Sequence, residues 1–526
     1  MEANVIAVHD VLACRRTFLE VRATKKGLRR TKSCGDLPGE SPPRRSCWAD
    51  VESQDTERVA FVEEMRSDMR WAHREEEDDP VIATLHALAK CSSFTAVVEP
   101  TTVEVCKALL PRVALANFLE HPRLQTKTLW SLGKLNAIGT VVGQILGKVA
   151  IANPKLHSFS TVDLVSILWS LARITKGCDA DSERIELQCE RPIKVIAKAI
   201  VNEALVRVEQ MNGRCLSNSI WALAKLNLRT TSARRYAELC MLHMSHHCLC
   251  SLSPQGVANG LWAAARLAVA QDKKLSFCET LARHAAPQAQ LFKSHELSMA
   301  VWGAARIIGR TRCAPTSGVV QFAEAVAVEA SERLNEMSPQ SISNIAWALA
   351  SLQLLSTRKQ GPALKFLLTM VEGCGPNLQS FHPQAISNMS WAISKVSRAT
   401  RQAFDAFASF AIREATSKER VAEFTWQDLV TLASAISKFH LVECRGLTAF
   451  VQRLAQSASL CAHDIDTQPL LNLGLAISTV AVDADTLWDF RVALESTISS
   501  RPLNKIDLHQ LTKIRCACVG RCVVNP

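Results

Sequence analysis

The 526-residue sequence predicts an all-α fold, an α-solenoid of about ten helical-hairpin repeats whose irregular length stays near 43 residues. Three observations predict it. A tryptophan-centred motif recurs along most of the chain. The same helix-start chemistry precedes most copies. Glycine and proline number only 20 and 19, about 7% together against the ~12% of ordinary globular chains. That scarcity argues against a turn-rich β architecture and against low-complexity disorder over most of the chain. Eleven Trp stand beside a single Tyr, as repetition of one Trp-bearing unit would produce.

Residues 1–80 read as a separate region, basic and then acidic. The net charge of +11 divides into −2 over residues 1–10, +7 over 11–46 and −8 over 47–80, which leaves +14 on residues 81–526. Arg15, Arg16, Arg22, Lys25, Lys26, Arg29 and Arg30 follow a short apolar run, a pattern expected of an organellar transit peptide, although Glu2, Asp10 and Glu20 depart from its acid-poor composition. Mitochondrial localisation is therefore expected, with a plastid as the alternative, or the cytoplasm if the segment is not a transit peptide. RRTKSCGDLPGESPPRRS (29–46) reads as a linker and EEEDDP (75–80) as a charged stop.

The solenoid is expected over residues 81–482. Its copies are ATLHALAKC (83–91), TLWSLGKL (128–135), SILWSLARI (166–174), NSIWALAKL (218–226), NGLWAAARL (259–267), MAVWGAARI (299–307), NIAWALASL (344–352), NMSWAISKV (388–396), TLASAISKF (431–439) and NLGLAISTV (472–480). The Trp-equivalent positions lie 39 to 52 residues apart. Nine residues before the Trp position stands a helix N-cap candidate, Ser160, Asn212, Ser253, Ser338, Thr425 or Asp466, and Pro254, Pro339 and Pro383 stand at first helical positions. An apolar residue before the cap (Phe159, Met211, Leu252, Phe292, Met337, Phe381, Phe424, Ile465) is spaced to staple onto one in the helix (Leu164, Leu216, Val257, Leu297, Ile342, Ile386, Leu429, Leu470). These features define helix A. Segments such as ALKFLLTMVE (363–372) and RQAFDAFASFAIREA (401–415) supply helix B. KGCDADSERIELQCERP (176–192) reads as an exposed acidic loop, and residues 483–526 as a C-terminal helical cap.

On helix A, positions −5, −2, +2 and +5 relative to the Trp share a core face, with small residues at +1 and +3 beside it. Positions −7, −3, 0 and +4 form a stripe on the opposite side. Position −7 is Gln255, Gln340, Gln384, Gln427 or Gln468, with His295 in another copy; position −3 is Asn218, Asn259, Asn344, Asn388 or Asn472. Position +4 is Lys90, Lys134, Arg173, Lys225, Arg266, Arg306, Lys395 or Lys438. Amides, aromatic surface and a cation repeated once per hairpin are what single-stranded RNA requires: phosphates neutralised, bases stacked, edges read. The same columns also suit internal roles. Trp can pack between repeats, Asn can ladder to a neighbouring backbone, and a cation near a helix C-terminus complements its dipole.

Nothing in the sequence reads as catalytic. GQILGKV (143–149) has the wrong glycine spacing for a phosphate loop and Val149 where a hydroxyl must hold magnesium. Cys240, His243 and His247 share a helix face but lie where helix B packs, and Cys516, Cys518 and Cys522 want a fourth ligand. No metal, cofactor or small-molecule substrate is expected. The 19 Cys lie mostly inside apolar helical patterns, as buried hydrophobes of a reducing compartment do. No stretch approaches the ~18 apolar residues of a membrane span, so a soluble chain is expected.

The copies NSIWALAKL, NIAWALASL and NMSWAISKV resemble the helical repeats of organellar RNA-binding proteins, the octotricopeptide-like and FAST-kinase- and RAP-associated repeats, and those of mitochondrial RNA-editing substrate-binding complexes. The resemblance covers about residues 81–482. It implies a non-catalytic protein that binds organellar transcripts and regulates their stability, processing or translation, with protein partners in an RNA-processing complex. Residues 483–526 are too short for the RAP module and lack its acidic cluster, and the loose repeat spacing transfers no base code. The alternative is a HEAT- or armadillo-like scaffold holding a peptide or partner helix.

Overall fold

The computed structural model describes residues 79–526 apart from 92–99, 117, 120, 138, 153–155, 175–182, 312–313, 356–360, 397–403, 418, 438–444, 479, 481–482 and 525–526. The transit-peptide reading falls outside the described residues. Within them the regular structure is helical, with no strand. Helices α1 (Pro80–Cys91), α3 (Pro122–Lys134), α5 (Thr161–Ile174), α7 (Gly213–Leu226), α9 (Pro254–Arg266), α11 (Ser294–Ile308), α13 (Pro339–Ser351), α15 (Pro383–Ile393), α17 (Trp426–Ile436), α19 (Thr467–Ile477) and α21 (Lys505–Val524) form one layer, each packed on the next. Helices α2 (Pro100–Leu115), α4 (Thr140–Ala152), α6 (Glu183–Leu205), α8 (Thr231–His246), α10 (Gln271–Ala285), α12 (Ser317–Glu332), α14 (Pro362–Cys374), α16 (Asp405–Thr416), α18 (Arg445–Cys461) and α20 (Ala484–Ser499) form the second. Odd-numbered helices are thus the A helices and even-numbered ones the B helices.

The cap chemistry positions the A layer. The side chain of Asn212 accepts from Cys215 N at 2.9 Å, and those of Ser253 and Ser338 accept from Gly256 N and Ser341 N at 3.2 Å. Ser160 and Thr425 each form a reciprocal capping box, with Asp163 and Asp428. Asp466 departs from the sequence reading. It holds the cap position in extended backbone, but its side chain makes no cap bond. The staple residues before the caps are all buried, and so are their partners apart from the half-buried Leu429.

Burial on the A helices reaches further than the expected core face. Positions −1, +1 and +3 are buried as well, for example Ala346, Ala348 and Ala350 around Trp347, so that only −7, −3, 0 and +4 stay open. Small residues are the reason, since they let neighbouring A helices approach until backbone meets backbone. A Cβ on Gly303 would lie 2.5 Å from the backbone carbon of Leu261, and one on Gly133 would lie 2.8 Å from Cα of Ser170. The helix is a sandwiched element with one open stripe.

A second departure lies in the segment 176–192. From Glu183 onward it is the first part of α6, not a loop. Cys189, Ile193, Ile196, Ala197 and Ile200 recur at helical spacing and are buried, and that apolar face outweighs the local acidity.

The B-to-A connections carry a device the sequence reading missed. Before the A helices the chain makes a short 3₁₀ turn, as at Val208–Gln210, Leu334–Glu336, Val421–Glu423 and Ala462–Asp464. An arginine directly before three of these turns reaches back to carbonyls of the preceding repeat, and Arg501, after α20, reaches back to the Ala462–Asp464 turn itself. Arg207 donates to Phe159 O at 2.7 Å, Arg333 to Phe292 O at 2.9 Å, Arg420 to Phe381 O at 2.6 Å and Arg501 to His463 O at 2.8 Å. Arg207, Arg333 and Arg420 all stand five residues before a cap, so they form a column of their own. The A-to-B links span from 4 to 11 residues between α5 and α20, and the longest repeat owes its length to the 23-residue α6. Beyond residue 482 the alternation continues, and Ile514 of α21 packs onto Gly474 of α19.

Candidate nucleic-acid interface

Seven indoles, Trp130, Trp169, Trp221, Trp262, Trp302, Trp347 and Trp391, stand half-buried along the open stripe of the A layer. In two runs, Trp169–Trp221–Trp262 and Trp302–Trp347–Trp391, they lie ring against ring from repeat to repeat. Ring centroids are 6.5 Å apart for Trp169–Trp221 and Trp221–Trp262, 6.3 Å for Trp302–Trp347 and 6.2 Å for Trp347–Trp391, with interplanar angles between 26° and 36°. His86, at the Trp position of α1, lies 5.0 Å from Trp130. The rings therefore take the internal role of packing between repeats.

The +4 cations sit over these rings. Arg173 Cζ is 5.3 Å from the Trp169 centroid, Arg266 Cζ 4.9 Å from Trp262 and Lys395 Nζ 4.8 Å from Trp391. Lys225 Nζ lies between two repeats, 5.8 Å from Trp221 and 5.4 Å from Trp262. Such contacts hold a cation in place without neutralising it. Arg173 is also tied down by its neighbour, donating to Gly133 O at 3.1 Å and to Asn136 Oδ1 at 2.9 Å. Burial pushes the Lys134 ammonium below the usual lysine range and the charge of Arg173 adds to that; burial likewise lowers Arg173. Arg306 is exposed. Lys438 lies outside the described residues.

The amide columns flank the rings. Gln255, Gln340 and Gln384 are exposed, while Asn218, Asn259, Asn344 and Asn388 are half-buried. Asn259 Nδ2 donates to Asn218 Oδ1 at 3.5 Å, so this pair meets side chain to side chain. Gln468 donates to Asn472 Oδ1 at 3.2 Å and to Gln510 Oε1 at 2.9 Å. Between α7 and α9 a cleft of about 390 Å³ opens onto this column, lined by Arg214, Asn218, Gln255 and Asn259 together with Gly213, Ser217 and Ser253.

Electrostatics separates this stripe from the rest of the surface. From Arg123 to Thr479 no Asp or Glu occupies any −7, −3, 0 or +4 position, whereas Arg123, Lys127 and Arg214 join the cations already singled out. Among the described residues, the ion pairs lie on B helices, their connectors and the α20–α21 contact. Examples are Lys273–Glu238, Arg283–Glu279, Arg420–Glu414 and Arg515–Glu495. None of them includes Lys134, Arg173, Arg214, Arg266, Arg306 or Lys395. Arg214 was absent from the sequence reading because position −7 is glutamine in the regular copies. Its signal was the acid-free stripe itself.

The remaining motifs fall elsewhere. GQILGKV lies within α4. Cys240 is fully buried, and desolvation pushes its thiol far above the usual range. His243 and His247 rest against each other at 4.9 Å. No helix among the described residues is long and apolar enough to cross a membrane. No protein-family profile matches this sequence, and no curated protein matches it.

Proposed function

We propose that the open stripe of the A layer is a binding track for single-stranded RNA, and that the protein is a non-catalytic RNA-binding solenoid. One observation carries this reading: from Arg123 to Thr479 the stripe gathers cations from successive repeats and contains no carboxylate, while Lys273, Arg283 and Arg413 of the B layer pair with glutamates. An extended polyanion gains from such an array because each phosphate contact releases a counterion. The exposed glutamines and half-buried asparagines supply edges for bases. The indoles orient the cations, and where a ring edge stays open a base can stack for about 1–3 kcal/mol.

The basic segment before residue 47 and the repeat resemblance together support a role in organellar RNA stability, processing or translation, in a mitochondrion or plastid. Trp488, 59% exposed, and Val492, 52% exposed, lie one turn apart on α20 and offer a surface for a protein partner of an RNA-processing complex. Fluorescence anisotropy with a labelled single strand tests the reading. If about six phosphates are engaged, log affinity falls against log salt with a slope of about −4, and a duplex of equal length binds more weakly. A salt-independent affinity, or a preference for an acidic peptide over RNA, would refute it and favour the scaffold alternative.

A further inference from the structure

Among the Trp-bearing copies the cation column is interrupted once. Four residues after Trp347 stands Ser351, where the others place Lys or Arg. Beside it lies a hollow of about 230 Å³ lined by Ala350, Ser351, Gln353, Leu355, Trp391 and Lys395. Pockets for drug-sized ligands span ~300–1,000 Å³, so this one is the size for a single heterocycle. The Ser351 hydroxyl oxygen is buried with no hydrogen-bond partner among the described residues. A buried polar group of that kind calls for a partner.

The equivalent place between α3 and α5 shows which chemistry completes such a wall. There Arg173 donates from Nε to Gly133 O and from its terminal nitrogen to Asn136 Oδ1, with its guanidinium over Trp169. Gly133 corresponds to Ala350, Asn136 to Gln353, Trp169 to Trp391 and Arg173 to Lys395. The helix ends turn alike, since Asn136 and Gln353 both take the left-handed backbone region, at φ 49° and 61°. Between α13 and α15 the carbonyl, amide and indole are therefore repeated, but lysine offers a point charge instead of a planar fork of donors. A planar group with two adjacent N–H donors would restore the fork.

Among the four RNA bases, guanine alone presents that pattern, at N1–H and the N2 amino group, with an O6 acceptor on the same edge. We infer that the hollow between α13 and α15 is a guanine-reading subsite for single-stranded RNA, an inference that rests on the RNA-binding reading above. The guanine edge donates to Ala350 O and the Gln353 side chain, and O6 meets Lys395.

The test uses the full chain and oligouridine strands of about twelve residues carrying one central guanosine, adenosine or inosine, the last lacking the N2 amino group. A single guanosine is expected to tighten binding about tenfold over oligouridine, the discrimination typical of one bidentate base contact. Adenosine should add nothing, and inosine should lose most of the gain. Ser351→Arg puts a bulky guanidinium into the hollow from its other wall, so guanosine preference should vanish while oligouridine affinity is kept or raised. Equal binding of guanosine, inosine and adenosine strands overturns the subsite and leaves the RNA reading standing. Failure of every strand to bind overturns both. The inosine comparison needs no variant, so it stands whether or not Ser351→Arg folds.

Discussion

On the A helices, Arg173, Arg266 and Lys395 lie over tryptophan rings on a stripe without carboxylates; on the B helices, Lys273, Arg283 and Arg413 each lie beside a glutamate. Both sets of cations belong to the same two-layer array, yet only the first leaves its charge uncompensated. Side-chain size differs in parallel. A helices touch through glycine, alanine and serine with almost no spare room, whereas Gly147 of the B helix α4 has nothing within 4 Å of where its Cβ would stand. On the A layer, backbone-to-backbone packing at Gly133 and Gly303 coincides with cations held over indoles. A rigid comb of cations at a fixed period is what an extended anionic strand can follow.

This contrast can be broken or sharpened by substitution, and the largest effect is expected at the connectors. Arg420→Ala leaves the carbonyls of Leu378 and Phe381 without that donor and leaves Glu414, with its side chain 8% exposed, only its longer pair with Arg413 at 3.6 Å. Loss of one partner of a buried pair costs about 3–5 kcal/mol. Arg283→Ala, whose side chain is 67% exposed in its pair with Glu279, should cost under ~1 kcal/mol. Thermal denaturation of the two variants compares them directly. Gly303→Ala comes next, at about 1–3 kcal/mol, because Cβ would meet the Leu261–Trp262 backbone. Ser338→Ala should cost ~1 kcal/mol through loss of the α13 cap. Gly147→Ala should have the opposite sign, stabilising α4 by about 0.5–1 kcal/mol. A destabilising Gly147→Ala would show that the B layer is as tight as the A layer.

Thiol labelling gives a qualitative check on the same packing. Cys278 and Cys374 are buried, and desolvation pushes their thiols up to about 12 and about 11, while Cys250 and Cys516 are exposed. Between pH 7 and 9 the native protein should therefore be alkylated at Cys250 and Cys516 and spared at Cys278 and Cys374. Mass spectrometry reads the sites. Rapid labelling of Cys278 would contradict its place inside α10.

Much of this was legible in the sequence because local rules repeat. Caps, staples and the Trp position recur at fixed offsets, and periodic burial follows from them. The open stripe was also predicted, since it is the complement of the apolar positions. Other features depend on contacts between repeats and leave no local signature. Arg420 reads as one more surface cation until the 3₁₀ turn brings it to carbonyls about 40 residues earlier. Residues 183–192 read as a loop because Glu183, Glu186 and Glu190 break up their apolar residues, but Cys189 and Ile193 belong to the buried face of α6. Ser351 reads as a missing cation; that its place is a hollow follows only from the geometry of the adjacent helix.

The central claim is that binding follows the position of charge and not its total. The most direct measurement compares Arg266→Glu/Arg306→Glu/Lys395→Glu on the A layer with Lys273→Glu/Arg283→Glu/Lys365→Glu on the B layer, which change net charge equally. Single-stranded RNA affinity of each is measured across a range of salt. The A-layer triple should lose at least about 30-fold in affinity and about 0.7 of salt slope per cation removed, and the B-layer triple should stay within about threefold of the parent. Equal losses from the two triples, or none from the first, would contradict the account.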